Sequence, residues 1–109
     1  MSDIELVMNE LLKFRNDRDW DQFHNPKDLA LAISVEAGEL LELFLWKDPD
    51  NAKVDKVKEE LADVLAYSFL LAHKYGFNIK QIMLEKITAN GSKYPVDKAK
   101  GNAKKYNEL

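Results

Sequence analysis

Leu29-Ala30-Leu31-Ala32-Ile33-Ser34-Val35-Glu36-Ala37-Gly38-Glu39-Leu40-Leu41-Glu42-Leu43-Phe44-Leu45-Trp46 is the stretch on which the fold turns. Leu29, Ile33, Leu40 and Leu43 recur at helical spacing, and Glu36 falls in the middle of their stripe. Glu39 follows three residues later, which puts it on the same helix face. A second stretch repeats the arrangement. In Glu60-Leu61-Ala62-Asp63 the acids are again three residues apart, and Val57, Val64, Tyr67 and Leu71 form a stripe centred on Glu60. A helix ordinarily turns its apolar face to the core and its acids to water. These two helices are expected to do the reverse.

The reversal is costly. Two like charges about 4 Å apart repel by roughly 4 kcal/mol at an effective dielectric of about 20, and burial adds a desolvation cost to each. Four acids gathered between packed helices must take up protons or attract cations. Because every candidate ligand is an oxygen, a hard divalent ion fits best. Acids three residues apart are also common on solvated helix faces; what sets these pairs apart is that both sit on apolar stripes.

Working outward, 109 residues is the length of one domain with room for a core. The net charge of −3 argues against a binder of nucleic-acid polymers, which would need a basic face. It leaves open a single nucleotide whose phosphates are screened by metal. The chain has no cysteine, which excludes disulfides, zinc–thiolate sites and thiol nucleophiles and fits a cytoplasmic setting. No segment is apolar for long enough to span a membrane. The acidic start, Met1-Ser2-Asp3-Ile4-Glu5, is unlike a signal peptide.

Periodicity predicts four helices and no strand. The first runs from about 3 to 17, with Ile4, Val7, Met8, Leu11, Leu12 and Phe14 on one side and Ser2 or Asp3 as cap. Trp20-Asp21-Gln22-Phe23-His24 follows. Its aromatic faces suit stacking on a base and its amide and imidazole suit a base edge, while the plainer reading is that Trp20 and Phe23 plug the end of a bundle. Asn25-Pro26 opens the second helix, expected from about 26 to 46. That helix is apolar almost all round, so it is expected to lie at a subunit interface. Gly38 costs it about 1 kcal/mol relative to alanine, which close approach of another helix would explain. Glu42 falls off the stripe and is read as solvated or as a group that supports the metal ligands from behind. The breakers Lys47 to Asn51 lead to a third helix over about 52–75, ended by Gly76, with Tyr67 on the side of the acids and His73 away from them. A fourth is expected over about 79–90 with Ile79, Ile82, Met83 and Ile87 buried, broken by Asn90-Gly91-Ser92-Lys93-Tyr94-Pro95. The polar tail, from about 97 to 109, reads as solvated or frayed, or else as a basic flap over an anionic ligand.

The two acidic pairs together resemble the motif of the MazG-like, all-α nucleoside triphosphate pyrophosphohydrolases. Arg18-Asp19-Trp20-Asp21-Gln22-Phe23-His24, Phe44-Leu45-Trp46-Lys47 and the stretch from Asn90 to Pro95 are similar to the dCTP pyrophosphatase branch. The resemblance covers about residues 10–109. It implies a single all-α domain over 1–109, a four-helix antiparallel bundle assembled as a homotetramer of two dimers. It also implies Mg²⁺-dependent hydrolysis of a deoxynucleoside triphosphate, dCTP or a modified dCTP preferred, to the monophosphate and pyrophosphate, as nucleotide-pool house-cleaning. Carried over by position, Glu36, Glu39, Glu60 and Asp63 are the catalytic metal ligands. Trp20, Asp21, Gln22, Phe23, His24, Trp46, Tyr67, Asn90, Lys93 and Tyr94 are the substrate contacts. Relatives often have arginine near position 93; Lys93 keeps the charge without the bidentate fork.

Other readings predict different behaviour. The acidic helices are shared with phosphoribosyl-ATP pyrophosphohydrolases, against which the Trp20–His24 segment argues, and with dUTP-specific relatives. A di-iron bundle needs a histidine three residues after a glutamate, and neither histidine is so placed. A non-catalytic helical module holding a structural ion would show metal-dependent melting without turnover.

Overall fold

The computed structural model describes all of residues 1–109, and every regular element in it is helical. The chain divides into two compact units, Met1–Phe77 and Asn78–Leu109. The first holds α1 (Asp3–Asp17), α2 (Pro26–Glu42) and α3 (Val54–Lys74). The second holds α4 (Ile79–Lys93) and the short α5 (Val96–Ala99).

Local chemistry sets the helix starts. Ser2 and Glu5 form a reciprocal capping box at α1. Asn25 accepts the Asp28 N–H at 2.9 Å, with Pro26 as the first residue of α2. Asn78 accepts the Gln81 N–H at 2.9 Å at the start of α4. The ends are equally specific. At α3, Gly76 has φ +71° while its N–H reaches the His73 carbonyl and the Phe77 N–H reaches that of Ala72, the paired bonds of a Schellman motif. The end of α1 repeats the motif without glycine. Asp19 takes φ +53°, its N–H donates to the Asn16 carbonyl, and the Trp20 N–H donates to that of Arg15. Aspartate tolerates the left-handed region better than most residues.

Within the first unit α2 packs chiefly on α3, and α1 on α3 to a lesser extent. The apolar stripes form this contact. Leu29 is 1% exposed and Leu70 is buried, while Ile33, Leu40, Leu43, Val57, Val64, Tyr67 and Leu71 are half-buried. Both Glu36 and Glu60 are half-buried among them, as the spacing predicts.

Several expectations are corrected. The second helix stops at Glu42, not near 46; Leu43 to Lys47 continue as turns closed by three-residue bonds, such as Phe44 N–H to the Leu41 carbonyl. Trp46 has φ +59°, which no helix accommodates. The fourth helix runs through Asn90 and Gly91 to Lys93, because one glycine costs only about 1 kcal/mol. The stop is Pro95, which disfavours helical backbone at Tyr94. Of the four residues expected to be buried on α4, only Ile79 is; Ile82, Met83 and Ile87 are exposed. Apart from these corrections, the outer face of α2 is exposed within the single chain at Leu31, Val35 and Leu41, and nothing in the chain approaches Gly38 within 4 Å of where a Cβ would stand. The tail is largely solvated, as expected, and carries α5, a 3-10 turn at Tyr106–Glu108, and Tyr106 meeting the Tyr94 ring edge-on and lying under Lys93. No helix is long and apolar enough to cross a membrane.

Candidate metal and nucleotide site

Side-chain oxygens of Glu36 on α2 and of Glu60 and Asp63 on α3 lie within 4.8 Å of one another. Helical period explains the meeting: Glu36 and Glu60 occupy the stripes by which their helices pack, and Asp63 follows Glu60 by three residues on the same side. Oε2 of Glu36 and Oε2 of Glu60 are buried and have no hydrogen-bond partner. Buried polar atoms are ordinarily paired, so two orphaned carboxylate oxygens in one place require a cause.

The electrostatics agree. Burial pushes the Glu36 carboxyl up to about 7, and the neighbouring Glu39, Asp63 and Glu60 carboxyls add to the rise. Glu60 is raised in the same direction, first by burial and then by Glu39. No cationic side chain relieves either acid. An all-oxygen set of anionic donors with unused lone pairs fits a hard divalent cation, whose opposed ligands stand about 4–5 Å apart. Asp63 is exposed, which leaves the group open on one side. Glu39 is exposed and falls outside the set of three, acting on it first by hydrogen bonding to the neighbouring carboxyls and then through its charge.

The aromatic segment is built differently. After the α1 Schellman turn, Asp21–Phe23 forms a 3-10 turn closed by His24 N–H to the Asp21 carbonyl at 3.0 Å. The Trp20 ring meets Phe14 and His24 edge-on, and His24 meets Tyr67 of α3 edge-on at 6.4 Å between centroids. Thus the segment and Tyr67 come together. Burial and the nearby Arg15 charge lower the His24 pKa, and its Nδ1 is buried without a partner. The Gln22 amide donates to the Asp19 carbonyl and carboxylate, both at 3.0 Å. The Asp21 carboxylate is engaged by Arg15 and Lys74. Phe23 is exposed, and Trp46 is 94% exposed with no ring partner in the chain. In the second unit Asn90 and Lys93 occupy the last turn of α4 and Tyr94 its cap. Sequence periodicity does not single out Arg15 or Lys74, whose common partner is a residue outside both helices.

Residues 31–109 match the MazG-like family. The chain is 39% identical to mouse (Mus musculus) dCTP pyrophosphatase 1 over 106 residues and 40% identical to the bovine (Bos taurus) protein of that name. Each match covers 89% of this chain and 62% of the relative. It therefore spans less than two thirds of the length of these curated relatives. Among solved structures, a pyrophosphatase from Archaeoglobus fulgidus DSM 4304 is similar at a TM-score of 0.81 and 34% identity, covering 87% of this chain and 94% of that one.

Proposed function

This chain belongs to the MazG-like family, and from that premise we propose that it hydrolyses nucleoside triphosphates to the monophosphate and pyrophosphate, with dCTP or a modified dCTP preferred. The observation that carries the reading is the pair of orphaned buried oxygens on Glu36 and Glu60 beside Asp63. The names of the similar proteins, dCTP pyrophosphatase and pyrophosphatase, support the same chemistry.

Glu36, Glu60 and Asp63, with Glu39 as a fourth ligand, would hold Mg²⁺, which when bound neutralises phosphate oxygens and favours ionisation of water. Carboxylate oxygens left free of the ion orient the attacking water and accept its proton. Stacking falls to the exposed rings Trp46, Phe23 and Trp20, and Trp20 is steadied through its edge-on contact with His24, which in turn meets Tyr67. With Nδ1 buried, a neutral His24 offers its Nε2 to a base edge, and Gln22 keeps its amide oxygen for the same purpose. Asn90, Lys93 and Tyr94 complete the proposed substrate contacts, Lys93 as a point charge for phosphate.

Assembly belongs to the same proposal: one domain forming an antiparallel four-helix bundle, built into a cytoplasmic homotetramer. Its support is the amount of unpartnered apolar surface. Leu31, Val35 and Leu41 on α2 and Ile82, Met83 and Ile87 on α4 are exposed, and Leu6, Val7, Leu11 and Phe14 line an open groove along α1.

A screen of the common nucleoside triphosphates with Mg²⁺ tests the activity. The expected products from dCTP are dCMP and pyrophosphate in equal amounts. Release of a diphosphate and orthophosphate would eliminate this reaction class. Metal-dependent melting without turnover would favour the non-catalytic module.

A further inference from the structure

We propose that Arg15 and Lys74 are positioning residues for nucleotide recognition, clamping the Trp20–His24 segment to α1 and α3 through the carboxylate of Asp21. The inference rests on the nucleotide reading above and deepens it, by making Asp21 part of the scaffold of that segment.

Oδ1 of Asp21 takes both cations. Arg15 Nη1 on α1 lies 3.1 Å away, and Lys74 Nζ in the last turn of α3 donates to the same oxygen. Six residues separate the first pair and 53 the second, so one carboxylate ties the segment to two helices that flank it. Lys74 is the main reason that the Asp21 carboxyl is held below its ordinary range.

Arg15 makes the clamp stiff. It is the buried charged residue of the chain, 7% exposed. Its other side-chain bond is from Nε to Asn16 Oδ1, and its backbone carbonyl accepts the Trp20 N–H at 3.1 Å. A guanidinium out of water is tolerated only when paired. If the segment swung out, Arg15 would lose its counter-charge. The segment is therefore held at three levels: the left-handed turn at Asp19, the Trp20 backbone bond, and the Asp21 charge. Trp20 and His24 lie on either side of Asp21 in sequence, Trp20 meets His24 edge-on and His24 meets Tyr67, so an error in Asp21 is passed to the rings assigned to the nucleotide.

Arg15 is too buried for a clean test, so Lys74 is the residue to change. The chain has two tryptophans. A Trp46→Phe background leaves Trp20 as the sole tryptophan, and acrylamide quenching of its selectively excited emission reads the segment without any nucleotide. Lys74→Met should raise that quenching at unchanged helix content. In the Trp46-containing chain it should raise KM for the triphosphate about tenfold and leave kcat within about twofold. Lys74→Arg should restore both. Asp21→Asn added to Lys74→Met should cost less than Asp21→Asn alone, because both act through one link. Flat quenching with unchanged KM would overturn the clamp, as would independent effects of the two substitutions, which would return Asp21 to direct substrate contact. A wild-type chain that turns over no triphosphate would sink the activity and the recognition role together. Flat quenching beside an active wild type would sink the clamp alone.

Discussion

Carboxylates meet the packed interior of the first unit in two places, and the chain treats them oppositely. Asp21 receives two cations and is held below its ordinary pKa, chiefly by Lys74. Glu36 and Glu60 receive none and are raised, Glu36 to about 7, while each keeps one buried oxygen without a partner. Neutralised from within, a charge does architectural work. One left bare beside other bare charges is a standing demand for something from outside the chain. The difference distinguishes the proposed metal ligands from the proposed scaffold acid better than burial does, since Asp21 and Asp63 are both exposed.

The largest expected effect breaks the unsatisfied side. Glu36→Gln or Asp63→Asn should lower kcat by about 10²–10⁴-fold while helix content stays unchanged. Retained wild-type rates would remove these residues from the site. A second contrast, between the tryptophans, sets the next effect. Trp20 packs against Phe14 and His24, whereas Trp46 touches no ring. Trp46→Ala should therefore leave melting nearly unchanged and weaken nucleotide binding about tenfold, the scale of one lost stacking contact. Equal affinity in isothermal titration would refute the role.

Stability against pH gives the smallest effect and the most direct reading of the comparison. A folded Glu36 keeps its proton up to about 7, whereas the unfolded chain releases it near 4.5. Between those values the folded state binds more protons, so its stability falls as pH rises. Asp21 has the opposite sign: its contribution is present above about 3.8 and is lost as pH falls below that. Chelated protein should thus lose about 5 °C in Tm between pH 5 and pH 8, a modest change because solvent reaches the site. Millimolar Mg²⁺ should restore it at pH 8 and do little at pH 5. Glu36→Gln should flatten the chelated profile on the alkaline side. A chelated Tm independent of pH over this range would contradict the electrostatics of the acid pair.

Much of this was legible in the residues. Glu36 and Glu60 announce themselves because a helical period makes an acid inside an apolar stripe visible in one dimension, and their helices do pack by those stripes. The caps at Ser2, Asn25 and Asn78 are equally local. What escaped is what depends on distance or on competing small terms. Lys74 and Asp21 are 53 residues apart, and no periodicity links a helix end to a distant turn. Gly91 suggests a break that its small penalty does not enforce, so α4 continues to the real obstacle at Pro95. The burial expected for Ile82, Met83 and Ile87 fails for this chain alone, because periodicity reveals that a face is apolar and not which surface covers it.

The backbone at Trp46 has one further consequence. A left-handed residue other than glycine sends its Cα–Cβ bond out along a line set by the turn, so an indole that rests on nothing still leaves the chain in a fixed direction. Part of the ordering that a docking partner would otherwise demand is completed when the polypeptide folds. Glycine at this position would relax the turn and, along with the ring, erase the bearing on which it is set.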